Sequence, residues 1–213
     1  MKTDGCVLII FTKAPVPGRV NTRLIPALGE DVAKELYLEL LRKTLATAAT
    51  SGINVRLYCT PDINHPQLVE LAKEFGVSLH PQRGRNLGER MDNALHEILR
   101  DHKAAVLAGC DIPELSGEDL ATACTRLCSD NDAVLGPAED GGFYLIGLSR
   151  ECRGLFDNMK WGQGDVLAEM RQRLQRLGMN VYELPEHWDV DRPRDVARYR
   201  RRFETRINLA GKY

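Results

Sequence analysis

The chain has almost no net charge: 29 lysines and arginines against 30 aspartates and glutamates over 213 residues leave -1 at neutral pH. That balance speaks against a general affinity for nucleic acid, which rests on an excess of basic charge. Also missing is any C-x-x-C pair among the cysteines Cys6, Cys59, Cys110, Cys124, Cys128 and Cys152, so a zinc site is not expected. Cys124 and Cys128 share an expected helix face, while Cys6 and Cys59 sit in strand-like apolar runs, where a thiol acts as a small hydrophobe. The apolar run Val7 to Phe11 is far short of the roughly 20 residues that span a membrane. No basic start, long apolar stretch or small-residue cleavage site marks a signal peptide. A soluble, reducing, cytoplasmic setting with no membrane partner is expected. No repeat, low-complexity tract or Pro/Gly/Ser-rich linker divides the sequence, so one domain over residues 1–213 is expected. The histidines His65, His80, His96, His102 and His187 show no ligand spacing.

What the chain does have is a steady alternation of strand and helix patterns. Cys6 to Phe11 reads as a buried strand, and from Gly29 onward Val32, Leu36, Leu40, Leu41 and Leu45 recur at helical spacing. Asn54 to Cys59 predicts a strand, Pro66 to Phe75 a helix, Val77 to His80 a short strand, and Leu87 to Leu99 a helix with Met91, Leu95 and Leu99 on one face. A strand ending at Gly109, a helix around Gly117 to Cys128, and strands Ala133 to Gly136 and Phe143 to Leu148 follow. Val166 to Leu177 predicts a helix and Met179 to Leu184 the last strand before an arginine-rich helix. Such βαβ alternation implies an α/β fold with a mostly parallel sheet and helices on both faces. Arg192, Arg194, Arg198, Arg200, Arg201 and Arg202 are read as a solvated helix face, because the rest of the chain balances them.

Carboxylates gather after two of these strands. Gly109-Cys110-Asp111-Ile112-Pro113 follows one buried run, and Trp188-Asp189-Val190-Asp191-Arg192-Pro193-Arg194-Asp195 follows the last. In open α/β sheets ligands sit outside the carboxyl ends of the strands. Oxygen ligands without thiolate or imidazole suit a hard cation, Mg²⁺, with phosphate oxygens in its shell. After the first strand, Thr12 to Leu24 holds Pro15, Pro17 and Gly18, which exclude helix and sheet, and the cations Lys13, Arg19 and Arg23. Such a loop can hold a phosphate chain, though it matches neither the Walker nor the dinucleotide pattern. Gln82 to Met91 combines glycines and arginines at a helix start, where Asn86 and Glu89 form a capping-box variant and a ligand edge can bind. Asp140-Gly141-Gly142 is a hairpin turn whose glycines allow close approach. Trp161 and Trp188 are candidates for stacking on a ligand ring, with core packing the commoner use.

Taken in order, Lys13…Pro17-Gly18-Arg19…Thr22-Arg23-Leu24, Leu87-Gly88-Glu89-Arg90, Gly109…Asp111…Pro113, Asp140-Gly141-Gly142 and Asp189…Asp191…Pro193…Asp195 resemble a bacterial family formerly known by a domain of unknown function. That family is often labelled glycosyltransferase-like and linked with arsenosugar or radical-SAM gene neighbourhoods. The chain is more distantly similar to 2-phospholactate and molybdenum-cofactor guanylyltransferases. All resemble the nucleotide-diphospho-sugar transferase (GT-A, Rossmann-like) fold, over Val7 to about Val196. The resemblance implies that Arg23, with Lys13, Gly18, Arg19, Asn21 and Thr22, holds donor phosphates. It implies that Asp111 and Asp191, with Asp189, ligate Mg²⁺ or Mn²⁺. Gly88, Glu89 and Arg90 would border the base or ribose, and Asp140, Gly141 and Gly142 the acceptor side. Relatives usually carry lysine where this chain has Asn21, and a hydroxyl residue where it has Gly162-Gln163-Gly164.

Three readings follow. In nucleotidyl transfer, an acceptor phosphate or hydroxyl attacks the α-phosphorus of a nucleoside triphosphate, with Arg23 and the metal stabilising charge. The cationic first loop favours it slightly. In glycosyl transfer from a nucleotide sugar, Asp140 orients or deprotonates the acceptor. Asn21 favours this one, because a diphosphate needs fewer cations. The third reading, a non-catalytic nucleotide-binding protein, is weakened by the surviving carboxylates.

Overall fold

The computed structural model describes residues 5–162 and 165–204. Gln163 and Gly164, part of the departure noted after Trp161, lie outside the described residues. Among the described residues, strands β1 (Cys6–Lys13), β2 (Asn54–Thr60), β3 (Ser78–Pro81), β4 (Ala104–Ala108), β5 (Ala133–Pro137), β6 (Phe143–Leu148) and β7 (Val181–Glu183) form one sheet in the order β3-β2-β1-β4-β6-β5-β7. All neighbouring pairs are parallel except those that β6 makes with β4 and β5. Helices α1 (Ile25–Leu28), α2 (Glu30–Thr50), α3 (Pro66–Phe75), α4 (Leu87–Leu99), α5 (Gly117–Ser129), α6 (Val166–Arg176) and α7 (Pro193–Tyr199) connect them, with a π-helical turn at Arg200–Glu204.

Strand β1 shows why helices lie on both faces. Its side chains alternate: Cys6, Leu8 and Ile10 join a core with residues of α2, α3 and α5. Val7, Ile9 and Phe11 join another with α4 and α6. Every residue from Cys6 to Thr12 is buried, so the strand reads as one apolar run. Helix α4 buries Met91, Leu95 and Ile98 on one stripe, and each such side chain contributes about 1.5–3 kcal/mol by leaving water. A smaller cluster ties Leu24, Leu36 and Leu40 to Trp188, Val190, Val196 and Tyr199 near the C-terminus.

Four expectations change. Val32 is 46% exposed; the buried stripe of α2 runs Ala33, Leu36, Tyr37, Leu40, Leu41, Thr44, Leu45 and Ala48, and Val32 falls outside that arc. Cys6 is not a lone apolar thiol: α5 packs on β1, and Cys6 and Cys124 are bridged across a Cα–Cα distance of 5.8 Å. Trp188 is 2% exposed, with the Arg198 guanidinium 4.2 Å from its ring centre, so it packs inside and stacks on no ligand. Of the C-terminal arginines, Arg198 leaves the solvated face, pairing with both oxygens of Glu139. Arg192, Arg194, Arg200, Arg201 and Arg202 are exposed as expected, Arg202 with an ion pair to Glu114 at 2.6 Å.

The hairpin β5–β6 depends on Gly136. A Cβ there would stand 2.5 Å from Tyr144 Cζ, and the Tyr144 hydroxyl is tied to the Pro185 carbonyl, so the ring cannot swing aside freely. Gly136→Ala is expected to lower stability by about 1–3 kcal/mol, the usual cost of overpacking, as read by urea denaturation.

Candidate active site

The first loop is pinned at two points and exposed between them. Val16, Pro17, Gly18 and Arg19 form a turn closed by Arg19 N–H to Val16 O at 3.0 Å, with Gly18 at φ 77° supplying the left-handed position. Val20 and Leu24 are buried, which leaves Arg19, Thr22 and Arg23 facing solvent. Asn21 adopts φ 46°, and its amide donates to the Ala33 carbonyl at 3.2 Å. The Asn21 side chain therefore holds the loop against α2.

Backbone pairing brings the carboxylates together. Ile10 on β1 is opposite Ala108 on β4, so Lys13 and Asp111 lie equally far beyond that pair, at the carboxyl ends of neighbouring strands. Gly109 leaves room for Asp111, whose Oδ1 would lie 2.9 Å from a Cβ placed there. Ala138 continues β5 by bridging to His187, with Glu139 N–H bonded to His187 O and His187 N–H to Pro137 O. The chain leaving β7 is thereby laid beside the β5–β6 turn, and Val190 N–H bonds Asp111 O at 3.0 Å. Asp140, at that turn, accepts the Gly142 N–H at 2.8 Å, while the Gly141 carbonyl accepts from Leu167 in α6.

The outcome is one electrostatic unit. Burial, followed by the charges of Asp111, Asp140 and Asp191, pushes the Asp189 carboxyl up to about 6. Burial also raises Asp111, with Asp191 and Asp140 adding and Lys13 opposing. Arg23 bonds Asp191 at 2.5 Å, and that bond, with the charges of Asp191, Asp189 and Asp140, holds its guanidinium above the ordinary value. Lys13, Arg23, Asp111, Asp140, Asp189 and Asp191 thus converge.

Gly88, Glu89 and Arg90 form a separate shelf. Gly88 lies under Phe156, where a Cβ would come 2.9 Å from the Phe156 carbonyl oxygen. Glu89 pairs with Arg85 and is capped by Asn86, and Arg90 Nε donates to the Gly84 carbonyl. Among the described residues none of the three bonds a carboxylate of the cluster. The shelf reaches the cluster through the rings of Phe156 and Trp161 and then through Gly162, where a Cβ would be 3.9 Å from Arg23 Nη2. Trp161 also meets Phe143 edge-on. Gln82 ties the first loop to the neighbouring strand, its amide donating to the Thr12 and Tyr58 carbonyls, and no local pattern in the sequence announces that contact.

The donor set fits a hard cation. Mg²⁺ is commonly held by one or two carboxylates plus substrate phosphates, and the Asp111 charge adds to burial in raising the Asp189 carboxyl. Among the described residues no three acidic, histidine or cysteine side chains are grouped to hold an ion unaided.

Three outcomes follow. Because Asp189 keeps its proton up to about pH 6, Mg²⁺ affinity measured by calorimetry should rise as pH increases through that value and level off above it. Asp189→Asn should flatten the profile. Without metal the sign is reversed for stability. The native state holds the proton to higher pH than the unfolded chain, so stability should fall as pH rises from about 4 towards 6. Gly109→Ala should weaken metal binding nearly as much as Asp111→Asn, each with a melting temperature within a few degrees of the parent.

Known proteins share this architecture. A crystal structure from Desulfovibrio desulfuricans G20, provisionally described as a nucleotide-diphospho-sugar transferase, matches with a TM-score of 0.80 and 33% identity over 88% of this chain and 83% of that one. The phosphoenolpyruvate guanylyltransferase of Roseiflexus sp. (strain RS-1) is 27% identical over 145 residues, 67% of this chain. The aligned region spans 63% of that relative's length. Glucosyl-3-phosphoglycerate synthase from Mycobacterium tuberculosis, solved with Mn²⁺, uridine diphosphate and glucosyl-3-phosphoglycerate, shares the fold at a TM-score of 0.56 and 11% identity over 92% of this chain and 76% of that one. The fold is the one expected, that of the nucleotide-diphospho-sugar transferases. Residues 43–163, more than half of the chain, match the family described as "Uncharacterized protein conserved in bacteria (DUF2064)", and the protein belongs to that family.

Proposed function

We propose that this single-domain protein is a metal-dependent transferase acting on a nucleotide donor, with nucleotidyl transfer from a nucleoside triphosphate to a small phosphate or hydroxyl acceptor ahead of glycosyl transfer. The observation that carries the reading is the convergence of Asp111, Asp140, Asp189 and Asp191 with Lys13 and Arg23 at the carboxyl ends of the strands. Asp111 and Asp189, with Asp191 beside them, would hold Mg²⁺ or Mn²⁺, and a bound cation would neutralise the donor's phosphate oxygens as a Lewis acid. Lys13, Arg19 and Arg23 supply positive charge on the solvent side of the first loop, with the Thr22 hydroxyl and the Gly18 turn among them. Arg23 can exchange Asp191 for a phosphate at little cost, because a half-exposed ion pair is worth at most about 1 kcal/mol. Asp140 stands at the turn before Phe143, where a carboxylate orients an acceptor hydroxyl and takes its proton. Gly141 and Gly142 keep the turn open to that acceptor, and Gly88, Glu89 and Arg90 border the base or ribose from their shelf.

The name of the Roseiflexus relative supports transfer of a nucleotidyl group. One observation favours the glycosyl reading. The Asn21 amide is bonded to Ala33, so the loop lacks a cation at that position, and a diphosphate donor needs fewer. A cytoplasmic setting belongs to the proposal, with the Cys6–Cys124 bridge speaking against it. Among the described residues no helix is long and apolar enough to cross a membrane.

A thermal-shift panel of nucleoside triphosphates and nucleotide sugars, with and without Mg²⁺, tests the reading, since a ligand of the native state raises its melting temperature. Mg²⁺-dependent stabilisation by one triphosphate is expected. Stabilisation by nucleotide sugars alone transfers the protein to the glycosyl reading, and no shift at millimolar concentration ends both. Asn21→Lys removes the amide bond to Ala33 and sets a lysine at φ 46°, so it is expected to lower the melting temperature without tightening triphosphate binding. A calorimetric gain in triphosphate affinity at unchanged stability would mean that residue 21 faces the phosphates after all.

A further inference from the structure

Both polar groups of the Thr12–Lys13 peptide are bonded by side chains from distant parts of the chain. The Lys13 N–H donates to the Tyr37 hydroxyl at 2.7 Å, and the Thr12 carbonyl accepts from Gln82 Nε2 at 2.9 Å. Tyr37 comes from α2 and is 7% exposed. Gln82 follows β3, two strands away from β1.

The Tyr37 hydroxyl accepts from Lys13 N–H and lies 2.7 Å from Thr12 Oγ1, in a bond that either oxygen can donate. The Cys110 thiol stands 3.5 Å from that hydroxyl and 4.0 Å from Thr12 Oγ1, and Thr12 Oγ1 is 3.4 Å from the Lys13 carbonyl. The Gln82 amide spends both hydrogens, on the Thr12 and Tyr58 carbonyls, each at 2.9 Å. A flipped amide would set its oxygen against two carbonyl oxygens, so only one orientation is stable. Helix α2 also reaches the neighbouring strand's end, where Thr44 donates to the Cys110 carbonyl at 3.5 Å, next to Asp111. Thr44 and Tyr37 are two turns apart on the same buried stripe, where the other positions are apolar.

We infer that Tyr37 and Gln82 are positioning residues that clamp the Thr12–Lys13 peptide and so aim the Lys13 ammonium at donor phosphates beside Asp111. The inference rests on the reading of Lys13 as a phosphate ligand. Neither residue touches the donor; each acts through the backbone that carries Lys13. Both hydrogen bonds are half-buried: losing the Tyr37 hydroxyl removes the acceptor of the Lys13 N–H, and losing the Gln82 amide unties the Thr12 carbonyl from the Tyr58 carbonyl.

Inorganic tripolyphosphate with Mg²⁺ is the probe, because it carries phosphates and no base or sugar. Tyr37→Phe and Gln82→Leu are each expected to weaken its binding about tenfold in calorimetry, while the melting temperature falls by only a few degrees. Lys13→Ala should weaken binding at least as much. In the Lys13→Ala background, either clamp variant should then add less than about twofold, because the group being aimed is gone. A merely structural role would give the full loss in both backgrounds, and that additivity would overturn the inference. If the parent protein binds neither tripolyphosphate nor any nucleotide, the donor reading fails on its own account. Exchange of the Lys13 amide then decides the clamp: faster exchange in Tyr37→Phe retains it, and unchanged exchange removes it.

Discussion

Carboxylates that repel one another are held together at one edge of the sheet, and much of the architecture serves to keep them there. Asp189 stays near Asp111 although the Asp111 charge raises its affinity for a proton, and Asp111 is raised by Asp191 and Asp140. What opposes the repulsion is backbone pairing. Val190 bonds Asp111, and His187 completes a bridge to Ala138. These bonds lie inside packed structure: Val190 and Trp188 are 1% and 2% exposed. Charge is gathered by elements that are themselves fixed by apolar contact, as electrostatic preorganisation requires.

The sheet order explains how segments far apart in the chain contribute to that edge. Strand β6 enters between β4 and β5 running the opposite way, so the β5–β6 turn emerges on the same side as the end of β4. The parallel pair β5–β7 then delivers the last acidic loop to that turn. Cations arrive from β1, on the other flank of β4. A ligand with a negatively charged chain would lie across the mouth between the two flanks, in keeping with the proposed transfer.

Much of this was legible in the sequence because it is encoded locally. Helices Pro66–Phe75 and Leu87–Leu99 begin and end where apolar spacing, proline and an Asn86 cap place them. Gly109-Cys110-Asp111-Ile112-Pro113 announces a loop after a buried strand, and the structure has one there. What stayed hidden depends on pairing at a distance. Cys6 and Cys124 are 118 residues apart, and no spacing rule joins them. Arg198 looks like one of several surface arginines until Glu139 and Trp188 are brought against it. Asn21 looks like a weakened phosphate ligand until the Ala33 carbonyl accounts for its amide. Tyr37 falls on a helix face whose polar members declare themselves only once the stripe is set correctly, from Ala33 rather than Val32.

The bridge between Ala138 and His187 bears on how the protein is made. Asp111 lies near the middle of the chain, whereas Asp189 and Asp191 come late in it. During synthesis β1, β2 and β4 can pair as soon as each leaves the ribosome, while the acidic edge must wait for the segment after β7. The strands that carry Lys13 and Asp111 thus precede in the chain the segment that completes the acidic edge, so that edge can close only after residues 187–191 have been made.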